Sequence, residues 1–194
     1  MKRLLCISAL ALSLGSCATK SPVREFPKVQ VPSMMEDANE RVQYATLHFF
    51  DAFRDDGATV WRTDSSHYSG VKKDDFEREF ASWLVLLDRT DRMHASACLT
   101  RAYGRCGDAY DGFVRCCEKY LYDPNSPYRD EDLYGTVLWL RLSDQRTPDN
   151  MRQGLEADLK LCRMNPVGGP AADFRFADRT GAVHRMYEVE APYL

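Results

Sequence analysis

The chain lacks most of the short motifs that announce an activity. None of its seven cysteines stands in Cys-x-x-Cys, so no pair of thiols is placed for attack and resolution on a strand–helix turn. His48, His67, His94 and His184 are scattered, and none falls in His-Glu-x-x-His. The spacing of Cys98, Cys106, Cys116 and Cys117 is unlike a zinc site. No metal or cofactor is expected, and no catalytic residue is assigned. Gly168-Gly169 lies between an expected helix and an expected strand, the reverse of a nucleotide-binding loop. The 26 basic residues are dispersed among 29 acidic ones, with no basic stripe. That argues against nucleic acid as a partner, because such binding rests first on neutralising phosphates. A long hydrophobic run is missing as well: residues 4–14 are apolar, but too few to span a bilayer.

What is present starts with that run. Lys2-Arg3 precede it and Leu14-Gly15-Ser16-Cys17 closes it, so residues 1–16 read as a signal peptide. The small residues before Cys17 resemble a bacterial lipoprotein processing site. Cys17 is therefore expected to be lipidated as the first mature residue, and several acyl chains give stable anchoring. With the leader gone, 24 basic side chains face 29 acidic ones. No acidic run follows Cys17, which favours an outer-membrane lipoprotein facing the periplasm, with the cell surface as the alternative. Pro22, Pro27 and Pro32 among polar residues make residues 17–32 an expected tether. The remaining length suits one domain with a sizeable core. Export permits disulfides. Cys98, Cys106, Cys116 and Cys117 are the candidates for one or two bridges, with buried thiols as the alternative, and Cys162 leaves the count odd.

From residue 33 the pattern is helical. Ser33 and Glu36 form a candidate capping box, and Met35, Ala38, Val42, Ala45, Phe49 and Phe53 recur at helical spacing. Residues 58–72 have no period and read as a long loop pinned by Trp61 and Tyr68. A second helix is expected over residues 74–89 with Phe76, Phe80, Trp83, Leu84 and Leu87 inward, and acidic residues lead it as the helix dipole favours. A third follows Asp91 through Tyr103. A fourth runs from Asp108 into Tyr122. A fifth covers residues 130–142, and a sixth, after Thr147-Pro148, passes Leu155 and Leu159 to Cys162. Beyond Asn165 the helical pattern stops, and residues 172–176 and 182–189 alternate as a hairpin. The fold expected is all-α, about six helices in residues 33–164, followed by a short C-terminal β-hairpin.

The densest polar cluster is the turn Asp123-Pro124-Asn125-Ser126-Pro127 between the fourth and fifth helices, where two prolines fix the backbone. Asp123 or Asn125 can accept backbone N–H bonds, Ser126 can cap the next helix, and Arg129 can pair with Asp123 or Glu131. The functional reading makes this turn a docking surface, with Tyr122, Asp123, Asn125, Tyr128, Arg129, Glu131 and Tyr134 as its residues. The acidic groups Asp55-Asp56, Asp74-Asp75 and Asp130-Glu131-Asp132 all sit at expected helix ends, where helix termination or the dipole explains them.

The run from Tyr120 to Arg129 with Glu131 and Tyr134, followed later by Asn165, Gly168 and Ala172-Asp173-Phe174, resembles the DUF5106 domain of exported Bacteroidetes proteins. In that family the helical domain is usually followed by a thioredoxin-like domain. The resemblance implies that residues 165–194 are the opening segment of such a domain. It also implies a setting near envelope thiol chemistry, with a thioredoxin-like domain or protein as partner, but it carries no catalytic residue onto this chain. Three functions follow as expectations: a non-catalytic, membrane-tethered module accessory to a redox domain; the front of a thiol–disulfide oxidoreductase whose Cys-x-x-Cys lies beyond residue 194; or a lipoprotein that binds peptide or glycan in a helical cleft.

Overall fold

The computed structural model describes residues 21–54, 59–164 and 168–189. The leader, Cys17, the Asp55-Asp56-Gly57 helix stop, and Asn165 and Pro166 lie outside the described residues. Among the described residues, six α-helices make up the body: α1 (Ala38–Leu47), α2 (Lys73–Leu87), α3 (Arg92–Arg105), α4 (Tyr110–Cys117), α5 (Glu131–Ser143) and α6 (Asp149–Cys162). Two small antiparallel hairpins join them, β1 (His67–Tyr68) with β2 (Val71–Lys72), and β3 (Arg175–Ala177) with β4 (Val183–Arg185). The all-α body with a C-terminal hairpin agrees with the sequence reading.

Helices α2 to α6 form close to where periodicity placed them. Asp91 caps α3 by accepting from the His94 amide at 2.9 Å, and Asp130 caps α5 by accepting from Leu133 at 2.9 Å. Asp74 and Asp75 occupy the first turn of α2, and Glu131 and Asp132 that of α5, where the helix dipole favours negative charge. The first helix differs. Its cap is Asp37, which accepts from Glu40 at 2.9 Å, and not the Ser33–Glu36 pair. It also ends at Leu47, well before Phe53. The chain then tightens into a 3₁₀ turn at Asp51–Phe53, because Asp51 is held by the forked Arg101 guanidinium at 2.8 and 2.6 Å and by His48 at 2.6 Å. That turn brings Phe49, Phe50 and Phe53 together on one aromatic cluster.

The cluster is the centre of the molecule. Phe50 lies within ring-contact range of Phe26, Phe53, Phe76, Phe80, Trp83 and Phe113, at centroid separations from 5.0 to 6.2 Å. Tilted and edge-on pairs of this kind add to the area they bury. Trp83 satisfies its one donor by bonding the Thr46 carbonyl at 2.8 Å, which ties α2 to α1. On the far side, α5 packs between α3 and α6.

Two segments depart from expectation. The supposed loop of residues 58–72 contains β1 and β2, joined by Ser69-Gly70 with φ of 45° and 81°. Two consecutive positive φ values are what a two-residue turn needs to match the strand twist. Within the expected tether, residues 22–26 are fastened to the body. Phe26 is buried, with its ring 5.0 Å from Phe53 and 5.3 Å from Phe49. Arg24 donates its amide to Gly70 at 2.9 Å, its Nε to the Ser69 carbonyl at 2.8 Å and its Nη2 to Ser69 Oγ at 2.7 Å. Its guanidinium lies over the rings of Trp61 and Phe53, 4.3 and 4.9 Å from their centroids. Pro22 accepts from the Arg62 amide at 3.1 Å. Residues 22–26 therefore form an arm that clasps the strained turn. Proline density made this segment look detached, whereas proline merely fixes an extended path that needs few backbone bonds.

The C-terminal hairpin pairs Arg175 with Arg185, Phe176 with His184 and Ala177 with Val183. Phe174, Val183 and Tyr187 are exposed on it.

Two consequences for stability follow. Phe26→Ala is expected to lower the unfolding free energy by about 3 kcal/mol, as for other buried phenylalanines, measured by urea titration; a mobile tether would leave the midpoint unchanged. A Cβ on Gly112 would sit 2.5 Å from the Tyr68 ring, whereas one on Gly154 in α6 meets nothing within 4 Å. Gly112→Ala should therefore destabilise by about 1–3 kcal/mol, and Gly154→Ala should stabilise by about 0.5–1 kcal/mol, read from the same titrations.

Candidate functional site

The α4 helix does not end cleanly. After Cys117 it widens into a π-helical turn, Glu118–Tyr122, closed by the Asp123 amide on the Glu118 carbonyl at 3.2 Å. Such widened turns are uncommon and often mark functional positions. Here the widening delivers the chain into the rigid turn, whose two ends are joined by the Asp130 amide on the Leu121 carbonyl at 2.9 Å.

Inside the turn most polar groups are satisfied locally. Asp123 Oδ1 accepts from the Asn125 amide at 2.8 Å and from its side-chain amide at 3.1 Å, as the sequence suggested. Ser126 does not cap α5. Its hydroxyl donates to the Tyr120 carbonyl at 2.5 Å and accepts from the Tyr128 amide at 3.2 Å. Arg129 pairs with Glu131, and Arg92 from α3 pairs with Asp130 and reaches Asp132 at 3.7 Å. On the neighbouring turn Glu77 takes Lys119 and the Tyr120 hydroxyl, and the Lys119 ammonium holds that carboxyl below its usual range.

Of the candidate docking residues, Asp123, Asn125 and Arg129 are exposed, while Tyr122, Tyr128 and Glu131 are half-buried. Tyr134 is a correction. It is buried, and its ring stacks on Tyr122 with centroids 4.6 Å apart. It supports the surface from beneath and presents nothing to a partner, because its position on α5 faces the core.

Two concavities flank Arg129. One, of about 790 Å³, is open, with Tyr122, Asp123, Pro124 and Asn125 on one side and Leu161 and Cys162 at the end of α6 on the other. The second, of about 240 Å³, has an apolar floor of Leu84, Leu87, Leu121 and Leu133 and a polar rim of Asp88, Arg92 and Asp130. Sequence reasoning missed Arg115, Lys119 and Leu161 in the open groove. Leu161 is exposed at the end of an otherwise well-buried stripe, and an apolar residue out of phase with its helix is the signal that could have found it.

The candidate disulfides are not formed. Cys98, Cys106, Cys116, Cys117 and Cys162 are all free thiols buried in the core. Cys98, Cys116, Cys117 and Cys162 lie on helices and Cys106 at the end of α3, and in such buried positions cysteine behaves as a small hydrophobe. Burial pushes the Cys98 and Cys162 thiols up to about 11, and those of Cys106 and Cys116 up to about 12; the Cys117 thiol is likewise raised well above the usual range by burial. Among the described residues no group of three His, Cys, Asp or Glu is arranged to hold a metal ion. No helix of the described residues is long and apolar enough to cross a membrane.

Raised thiol pKa values carry a definite pH sign. The folded state holds these protons more tightly than the unfolded chain, whose thiols titrate near 8.5. Their stabilising contribution is therefore full below about pH 8.5 and is lost as pH rises toward the folded values. Iodoacetamide at pH 8 should label the native described cysteines far more slowly than the urea-unfolded chain, read by mass spectrometry of the peptides. Equal rates would contradict the burial.

Comparison with known proteins places this geometry. A crystal structure of a thioredoxin-like protein from Bacteroides caccae ATCC 43185 superposes with a TM-score of 0.67 at 22% identity, over 87% of this chain. The chain spans 59% of the length of that protein, and the likeness is one of fold. No curated protein matches the chain. The family described as Domain of unknown function (DUF5106) matches residues 11–165, a span that takes in both the clasping arm and the rigid turn. The chain belongs to the DUF5106 family.

Proposed function

We propose that the chain is a non-catalytic module of the cell envelope, anchored through a lipid on Cys17 at the outer membrane facing the periplasm, that packs against a thioredoxin-like domain. The observation that carries the packing against a partner domain is the open groove beside the rigid turn. It lies at the end of α6, the point from which the chain goes on to the β3–β4 hairpin, and it joins apolar Tyr122, Pro124 and Leu161 to the charges of Arg129, Glu131, Arg115 and Lys119. Apolar anchors ringed by charge suit a protein partner better than a small substrate. The hairpin supports the same reading, since a lone hairpin is marginal in water and its exposed Phe174, Val183 and Tyr187 suit a covering surface. A non-catalytic role fits buried thiols that stay protonated at neutral pH, because the thiolate is the reactive form.

A second reading makes this chain the front of a thiol–disulfide oxidoreductase whose Cys-x-x-Cys lies beyond residue 194. Its support is the share of the Bacteroides caccae protein that the chain spans.

The docking is testable in trans. A thioredoxin-like domain from a longer family member, produced alone, should bind the chain in calorimetric titration, and Arg129→Glu should weaken that binding about tenfold or more. No binding, or binding that ignores Arg129, would contradict the groove as the docking surface.

A further inference from the structure

We infer that the face built around the clasped arm, with Val23, Val60 and Trp61 at its rim, is the surface the domain lays on the lipid bilayer; the inference rests on the lipid anchor proposed above. Chain length restricts how the domain can sit. Pro22 is fixed to Arg62, and Arg24 to Gly70, by backbone hydrogen bonds of 3.1 and 2.9 Å. Only five peptide steps separate Cys17 from Pro22, a reach of at most about 18 Å when fully extended. A domain of this size has a radius of gyration of about 15 Å, so its width exceeds the leash. The side opposite Pro22 is thereby kept off the membrane, and the side that carries Pro22 is held against it. A free tether through residue 32 would have imposed no orientation.

The chemistry of that side agrees. Val23 is 57% exposed and Val60 is 76% exposed. Trp61 is half-buried with the Arg24 guanidinium 4.3 Å from its ring centroid. Arg62 continues the strip and pairs with Asp64 at 2.5 Å. Tryptophan beside arginine, with short aliphatic side chains pointing outward, is a composition suited to the headgroup boundary, where ring and aliphatic carbons go inward and guanidinium groups stay wet. The clasp thus fixes the arm to the core and also sets which face meets lipid.

Tryptophan fluorescence tests this directly, because Trp83 is buried in the core and Trp139 is exposed on α5 as an internal reference. The mature chain would be bound to vesicles of phosphatidylethanolamine and phosphatidylglycerol with brominated acyl chains. It would be used in two forms, the native lipoprotein and a chain carrying a hexahistidine tag at residue 17, captured on nickel-chelating lipid. Trp61 emission, taken as the difference from Trp61→Phe, should be quenched in both forms while Trp139 is not, and Val60→Asp should reduce the quenching. Quenching in the captured form together with a native chain that carries no acyl mass would remove the lipid anchor and leave the face standing. Trp61 quenched no more than Trp139 in the captured form would overturn the face itself.

Discussion

The aromatic cluster around Phe50 is the constraint on which the rest of the structure depends. It draws rings from four separate stretches of chain: Phe26 from the arm, Phe49 to Phe53 after α1, Phe76 to Trp83 on α2, and Phe113 on α4. Helices alone could not assemble it, because Phe26 comes from the arm and Phe53 from the 3₁₀ turn. The Asp51–Arg101 fork turns the chain so that three phenylalanines converge, and the Arg24 clasp lays Phe26 across them. Loss of either would open the same core from opposite ends.

From this core the architecture extends outward in a definite order. Phe80 stacks at 5.9 Å on Tyr120, and Tyr120 meets Tyr128 at 6.4 Å, so the rigid turn is continuous with the cluster through two rings. Its exposed residues are therefore presented by a fixed support, as the proposed docking would require. The turn's local hydrogen bonds and the buried stack of Tyr134 on Tyr122 serve the same end: they position Asp123, Asn125 and Arg129 at the surface.

Much of this was legible in the sequence because helices announce themselves through period. Phe76, Phe80, Trp83, Leu84 and Leu87 gave α2, and Asp91 gave the cap of α3, since spacing and capping are local properties. At α5 the sequence offered Ser126, whereas Asp130 accepts from the Leu133 amide. What could not be read was non-local. Phe26 stands alone among prolines, with no periodic neighbour to mark it as core. The Ser69-Gly70 hairpin has strands of two residues, too short for alternation to show. The helical phase of α1 ran on through Phe53 on paper, and only the pairing of Asp51 with Arg101, fifty residues away, breaks it. At the site, the motif was visible, but Tyr134 and Leu161 exchanged the roles that their residue types suggested, since which face a helix buries is decided by its neighbours. The cysteines illustrate the same limit: export chemistry permits bridges, while these thiols are free and buried in the core.

The most direct test of the account is amide hydrogen exchange of the arm by NMR. If residues 22–26 are part of the fold, the Arg24 amide, bonded to Gly70, and the Arg62 amide, bonded to Pro22, will exchange with protection close to that of the α2 core. Exchange of Arg24 at the rate of an unstructured peptide would show that the arm is a tether after all, and the clasp would then explain neither the core nor its orientation.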